Sequence, residues 1–127
     1  MALKITLGKR PDAFKAFPVK LTMPDGTEGV IQTTFKYHTR DEFGEVLNRI
    51  YEPGEKRAPG EKVDFVALGA ESRGRFTKEL AAGIKEWDLE FPVNADTLGQ
   101  LANEYPAATN ALFSAWQAAC NEGRLGN

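Results

Sequence analysis

This 127-residue chain has one histidine, one cysteine and 18 Asp and Glu residues, and no two of these carboxylates have a spacing that demands acid-base catalysis. His38 is the only histidine, and without a second histidine or a nearby cysteine it is not expected to bind a metal. Cys120, the only cysteine, falls on the apolar side of a predicted helix, where thiols are commonly buried and inert. We therefore predict no catalytic residue, no metal site and no cofactor.

The segment GAESRGRFT, residues 69–77, is a candidate phosphate-binding site, because it has the glycine spacing of a phosphate-binding loop. Arg75 stands where that loop has lysine, and Phe76 where it has serine or threonine, so the groups that bind phosphate and magnesium are missing. Basic residues here alternate with glutamates, as on a solvated helix face. Helix capping and solubility account for the other carboxylates. We predict that the protein is not an enzyme.

Composition narrows the class of protein further. The 16 Lys and Arg residues nearly balance the 18 Asp and Glu residues, and the net charge of −2 disfavours binding to nucleic acid or to an anionic membrane. We find no apolar run of about 18 residues that could span a membrane, and no secretory signal at the start. A single cysteine excludes an intramolecular disulfide and fits a reducing compartment. We expect one domain, residues 1–127, in a bacterial-type cytoplasm.

Residues 15–38 predict a β-hairpin, preceded by a flexible or loosely docked start at residues 1–14. In FPVKLTM, residues 17–23, apolar and polar residues alternate with the period of a half-buried strand. PDGTEG follows, in which Pro24 presets a turn and Gly26 can take a positive φ. VIQTTFKY, residues 30–37, is a second β-branched and aromatic run. An isolated hairpin is barely stable, so its apolar face is expected to pack on another element.

The rest of the chain, residues 39–127, is predicted to be mainly helical. TRDEFGEVLNRIY begins a helix with a cap at Thr39 or Asp41. The apolar residues of this helix fall on one face: Phe43, Val46, Leu47, Ile50 and Tyr51. EPGEKRAPGEK, residues 52–62, contains two Pro-Gly steps and mixed charge, which predicts a solvated loop.

The segment VDFVALGAESRGRFTKELAAGIKEWDL, residues 63–89, gives a divided signal. Its first part, VDFVAL, is either a short strand or the front of a helix. Gly69 and Gly74, which follow it, do not favour one of these two structures over the other. Its second part has apolar residues at spacings of four, four and three: Phe76, Leu80, Ile84 and Trp87. That spacing predicts a helix that includes Trp87.

Two short helices that meet at a tight corner are predicted next. Asn94 or Asp96 caps the first, and Pro106 stops it, because proline lacks an amide hydrogen and disfavours helix in the residue before it. Proline is tolerated at a first helical position, so Pro106 can also open the second helix, which Gly123 can end. The apolar residues of the two helices are Leu98, Leu101, Ala102 and Tyr105, then Leu112, Phe113, Trp116, Ala119 and Cys120. The predicted fold is α+β, with an N-terminal β-hairpin packed on a mainly α-helical body and a C-terminal helix-corner-helix.

Large aromatic residues are the most distinctive feature of this C-terminal part. Trp87, Tyr105, Phe113 and Trp116 have helical spacing, which fits core packing as well as a surface that binds a partner. Phe91 lies in a connector between Glu90 and Pro92, where it either fills a gap between helices or is exposed. The candidate partner-binding residues are therefore these five: Trp87, Phe91, Tyr105, Phe113 and Trp116.

The order of short motifs along the chain is similar to that of a known family. MPDG and TFKYHTRDEF come first, followed by GIKEWDL, then NEYPAATNALFSAWQAA and a terminal NEGRLGN. This pattern resembles the tail assembly chaperones of long-tailed, siphovirus-like bacteriophages. The resemblance covers most of the chain and is strongest from Gly83 to Asn127.

The resemblance implies a protein without enzyme activity or cofactor that acts in the host bacterial cytoplasm and is absent from the mature virion. Its partner would be the tape measure protein, a very long and largely helical chain, which it keeps soluble while bringing tail tube protein to it. Self-association is a further expectation, since a repeated client favours multivalent capture. The alternatives are a structural tail or connector subunit, a small-ligand binding module and a nucleic-acid-binding regulator.

Members of this family also often make a longer product by a one-nucleotide backward ribosomal slip, which is a programmed frameshift. Leu125, Gly126 and Asn127 allow such a slip if their codons read G-GGA-AAC across the junction. Other codons for the same residues would not slip, so the nucleotide sequence decides this point.

Overall fold

Three strands and four helices form the described part of this protein, which in the computed structural model covers residues 7–8, 10–51, 60, 62 and 64–122. They are, in chain order, β1 (Phe17–Thr22), β2 (Glu28–Phe35), α1 (Arg40–Ile50), α2 (Phe65–Gly83), β3 (Ile84–Trp87), α3 (Ala95–Glu104) and α4 (Pro106–Glu122). The strands form one antiparallel sheet in the order β1-β2-β3. The predicted α+β class is confirmed. Most of the predicted loop at residues 52–62, and Gly123, lie outside the described residues.

The predicted β-hairpin is confirmed as β1 and β2. Phe17 lies opposite Thr33 and Val19 opposite Ile31, and all four side chains are buried on the face that packs against the helices. At the tip, Gly26 has a φ of 88°, a conformation that residues with a Cβ atom rarely adopt. Alternation of apolar and polar residues thus sets which face of the hairpin is buried.

The stretch just before β1 is attached to the end of β2. The Phe14 amide donates a hydrogen bond to the Phe35 carbonyl at 2.9 Å, and the Tyr37 amide donates to the Asp12 carbonyl, also at 2.9 Å. Arg10 forms an ion pair with Glu42 in α1. Within the predicted start, residues 10–14 are therefore held against the sheet and α1, while residues 1–6 and 9 are outside the described part.

The prediction that the helix of the middle segment includes Ile84 and Trp87 is wrong. The helix ends at Gly83, and Ile84–Trp87 is β3, which pairs with β2 so that Ile84 lies opposite Phe35. Gly83 lies against the ring of Trp116, where an added Cβ atom would be 2.4 Å from the nearest ring carbon. Apolar residues at spacings of four, four and three can face the core in one continuous helix and also in a helix followed by a strand. The spacing therefore cannot locate the residue at which helix changes to strand.

The alternative left open for VDFVAL is decided in favour of a helix. The Asp64 carboxylate accepts hydrogen bonds from the amides of Val66 and Ala67 and so caps α2. Phe65 and Val66 in its first turn are 80% and 81% exposed. The glycine spacing that resembles a phosphate loop lies inside α2, where backbone amides take part in the helix.

The predicted starts of the other helices are confirmed, and so is the end of α3 before Pro106. Thr39 caps α1 with a capping box, in which Glu42 binds back to the Thr39 amide. Asn94 caps α3, and Pro106 is the first residue of α4. The apolar face predicted for α1 is wrong at Tyr51, which follows the helix and is largely exposed.

Trp116 lies at the centre of the core and is 0% exposed. Its ring stacks on Phe35 of the sheet and meets Phe43 of α1 edge-on, with centroid distances of 6.4 and 4.8 Å. The indole N–H donates a hydrogen bond to the Lys36 carbonyl at 3.0 Å. Trp116 thus joins α4 to both the sheet and α1, and its one polar atom is satisfied.

Candidate partner-binding groove

An open apolar groove of about 520 Å³ lies between the hairpin tip and α3. We call it the hairpin–α3 groove. Its lining residues are Leu21, Met23, Gly29, Val30, Ile31, Trp87, Leu89, Phe91, Thr97, Gln100, Leu101, Glu104, Tyr105 and Ala108. Apolar side chains predominate, and the polar groups come from α3. Such a surface can bury apolar side chains of another molecule.

The hairpin contributes the first wall through a close approach between its two strands. Gly29 lies under the Met23 side chain, and a Cβ atom at this position would be 2.7 Å from the Met23 sulfur. Because glycine leaves this space free, Met23 lies over β2. Val30 is 44% exposed and is out of phase with the buried residues of β2. Met23 thus places a flexible thioether at the groove, and Val30 is also part of the lining.

The connector after β3 contributes the second wall and is fixed at both ends. The Trp87 indole N–H donates a hydrogen bond to the Phe91 carbonyl at 2.7 Å. Asp88 binds Gln32 of β2 twice, since its amide donates to the Gln32 carbonyl and its carboxylate accepts from the Gln32 amide, each at 3.0 Å. Phe91 is 62% exposed although its backbone is held in place. A fixed and exposed aromatic ring is a common anchor in protein interfaces.

The third wall is α3 and the corner that follows it. Leu98 of α3 is buried in the core, while Leu101, one turn later, is half-buried and lines the groove. Tyr105 follows at the end of α3 and is 37% exposed. Pro106 turns the chain at once into α4, which keeps Tyr105 at the groove.

The five predicted partner-binding residues occupy two different environments. Trp87, Phe91 and Tyr105 line the hairpin–α3 groove. Phe113 is half-buried, with ring centroids 5.7 Å from Phe43 and 5.1 Å from Phe76, outside the groove lining. Trp116 is the buried core residue described above. The structure therefore brings three of the five together.

Sequence reasoning missed the hairpin side of the groove, which is formed by Met23, Gly29 and Val30. The available signal was Val30, an apolar residue at an even position of β2, where the buried apolar residues Ile31 and Phe35 are at odd positions. Leu101 was identified as apolar but was assigned to the contact between the two C-terminal helices. Its position at a groove depends on how the hairpin packs, which local patterns do not give.

The groups capable of chemistry are apart from this groove. His38 Nδ1 lies 2.9 Å from the Tyr37 carbonyl, and its ring packs 5.3 Å from Trp116. Burial raises the pKa of the Cys120 thiol, which makes the reactive thiolate scarcer. Among the described residues there is no cluster of three or more His, Cys, Asp or Glu side chains that could hold a metal. The described helices also include none with the length and hydropathy to cross a membrane.

An open apolar groove is the kind of surface that can bind another molecule, and comparison with known families gives the class of protein. A family model for phage tail assembly chaperones matches residues 1–127, the whole chain. The chain therefore belongs to the phage tail assembly chaperone family. Comparison with curated proteins and with solved structures gave no match.

Proposed function

We propose that this protein binds the tape measure protein of its phage and keeps it soluble while the tail is assembled. The observation that carries the proposal is the hairpin–α3 groove, in which Trp87, Phe91 and Tyr105 present aromatic surface to solvent. A long chain with apolar helical stripes aggregates unless those stripes are covered. A groove of this kind suits the apolar face of a helix.

The proposed mechanism is reversible burial without covalent chemistry or a cofactor. Client side chains enter the groove against Leu101 and Met23, and Phe91 covers them from the connector side. The chaperone acts in the host bacterial cytoplasm. When tail tube protein replaces it on the client, the chaperone is released, and it is therefore absent from the mature virion. Self-association would increase the number of grooves offered to one client. We propose that a longer frameshifted product is made as well.

Co-expression tests this proposal. The tape measure protein of the same phage is produced alone, with the wild-type chain, and with Phe91→Ser, and the soluble fraction of the client is measured after centrifugation. The wild-type chain is expected to raise that fraction, and Phe91→Ser to lose most of the effect. Phe65→Ser is the matched control, because Phe65 is also exposed, at 80%, but lies on α2 away from the groove lining.

Two results would contradict the proposal. If the client is equally soluble with and without this chain, the chaperone role fails. If Phe65→Ser and Phe91→Ser act alike, the groove is not the client site. Detection of the chain in purified virions would instead favour a structural tail or connector subunit.

A further inference from the structure

The hairpin tip contains a dipeptide that can change chemically without an enzyme. Asp25 and Gly26 are the only place in the sequence where glycine follows aspartate or asparagine. In a flexible chain the glycine nitrogen attacks the carboxyl carbon of the preceding aspartate, because glycine has no Cβ atom to hinder the approach. A carbon–nitrogen bond forms, water leaves, and a five-membered succinimide ring results. Water then opens the ring at either carbonyl, which gives back aspartate or produces isoaspartate.

The attacking nitrogen is engaged in the folded hairpin. The Gly26 amide donates a hydrogen bond to the Met23 carbonyl at 2.8 Å, which closes a β-turn with Pro24 at its first central position. The Met23 amide donates to the Thr27 carbonyl at 2.7 Å and joins the two strands directly below this turn. Gly26 itself has a φ of 88°. The turn therefore fixes the Gly26 nitrogen in place and occupies its hydrogen.

The carboxylate that would be attacked is held as well. Asp25 Oδ1 accepts hydrogen bonds from the Thr27 hydroxyl at 2.6 Å and from the Thr27 amide at 3.0 Å. These bonds lower the pKa of Asp25, so its side chain stays ionised, and a carboxylate is a poorer target than the neutral acid. Ring closure draws the side chain back to the Gly26 nitrogen, which opposes both bonds. Asp25 and Gly26 are exposed, so water for opening a ring is at hand.

We propose that Asp25–Gly26 is a site of spontaneous conversion to isoaspartate, which the closed hairpin tip suppresses and opening of the tip permits. Isoaspartate carries the main chain through the aspartate side chain and so lengthens the tip by a methylene carbon. The bond between Met23 and Thr27 cannot then keep its geometry. Since Met23 lies over Gly29 in the wall of the hairpin–α3 groove, the modification reaches that wall. The inference stands on the tip alone and does not depend on the proposed function.

The first experiment compares the folded chain with the unfolded chain. Purified protein is kept at neutral pH and constant temperature, in buffer or in a denaturing concentration of urea. Isoaspartate at residue 25 is then quantified by peptide mapping with electron-based fragmentation. Its formation is expected to be at least about tenfold faster in urea, because the hydrogen bonds of the tip are lost there.

A pair of threonine variants assigns the protection to the bonds around Asp25. Thr27→Val removes the hydroxyl donor, keeps the branched shape and should speed the reaction in buffer about threefold. Thr22→Val is the matched control, since Thr22 is an exposed threonine of the same hairpin and its effect should stay below about twofold. In urea the variants and the wild type should react at the same rate. Unchanged thermal midpoints then separate the lost bond from misfolding.

The isomerised protein tests the consequence for the hairpin. It is separated from the unmodified protein by chromatography, and hydrogen exchange of the Met23 amide is measured in both forms. Exchange is expected to be at least about fivefold faster in the isomerised form, because the bond to the Thr27 carbonyl is weakened. Unchanged exchange would remove the link between the modification and the groove.

Three results would overturn the proposed site or its protection. No isoaspartate at residue 25 in urea would show that the dipeptide is not a site. Equal rates in buffer and urea would show that the fold gives no protection. Equal rates for Thr27→Val and Thr22→Val in buffer would show that the bonds from Thr27 are not its source. Each of these results leaves the solubility assay with the tape measure protein unaffected.

Discussion

Gly83 at the junction of α2 and β3 gives the sharpest test of the packing, through the substitution Gly83→Ala. A Cβ atom at this position would lie 2.4, 2.5 and 2.7 Å from three carbons of the Trp116 ring. Distances below 3.0 Å require one of the groups to move. Trp116 cannot move easily, because it is fully buried, stacked on Phe35 and bound to the Lys36 carbonyl.

The expected change in the free energy of unfolding of Gly83→Ala follows from two opposing effects. Overpacking a close-packed core costs about 1–3 kcal/mol, and three contacts this short place Gly83→Ala at the upper end. Replacing glycine by alanine in a helix returns at most about 1 kcal/mol. The free energy of unfolding should therefore fall by about 2 kcal/mol, which lowers the Tm by roughly 6–12 °C for a domain of this size.

The assay is urea and thermal unfolding followed by circular dichroism, with Gly74→Ala as the matched control. Gly74 is in the same helix, and an added Cβ atom there meets nothing within 4 Å. Gly74→Ala should therefore raise the free energy of unfolding by about 0.5–1 kcal/mol. In a Trp116→Phe background, which lacks the crowded ring carbons, Gly83→Ala should cost about 1 kcal/mol less than in the wild type. Equal stability of Gly83→Ala and the wild type would refute this account of the junction.

Three further predictions concern the caps and the connector. Asn94→Ala should lower the free energy of unfolding by about 1 kcal/mol in urea, because α3 loses its cap; no change would contradict the assignment. Hydrogen bonds and charge from Arg10, with the capping-box amide, lower the pKa of Glu42 to about 2, so its stabilisation is complete above about pH 4.5 and is lost as pH falls toward 2. Stability curves of Glu42→Gln and the wild type should therefore converge in acid, and parallel curves would refute this. Trp87→Phe removes the hydrogen bond to the Phe91 carbonyl and should speed amide exchange in residues 89–91 and 93 about fivefold; unchanged exchange would argue against that bond.

Features that depend on neighbouring residues were predictable from the sequence. The capping residues Thr39 and Asn94 were each among two candidates, because the side chain that accepts the first amides lies within a few residues of them. Pro106 marked the corner because its ring acts on the residue directly before it. The hairpin followed from alternation and from a turn with Gly26.

Features that depend on distant packing were not predictable in the same way. β3 exists because Ile84 meets Phe35 across the sheet, about fifty positions away in the chain, and periodicity contains no information on that pairing. For the same reason Phe91 and Tyr105 were identified as candidate partner-binding residues, whereas Met23 and Val30 were not connected with them. Tyr51 had the correct spacing for a buried face but follows the end of α1.

The position of Trp116 has a consequence for how the chain folds during translation. This residue is translated after the elements that it packs against, including those that carry Phe35 and Phe43. The hairpin and α1 can form as soon as they leave the exit tunnel, but they remain without their central side chain until α4 emerges. The core therefore cannot close until α4 has been made, and we expect nascent chains truncated before Trp116 to leave the apolar face of the hairpin uncovered.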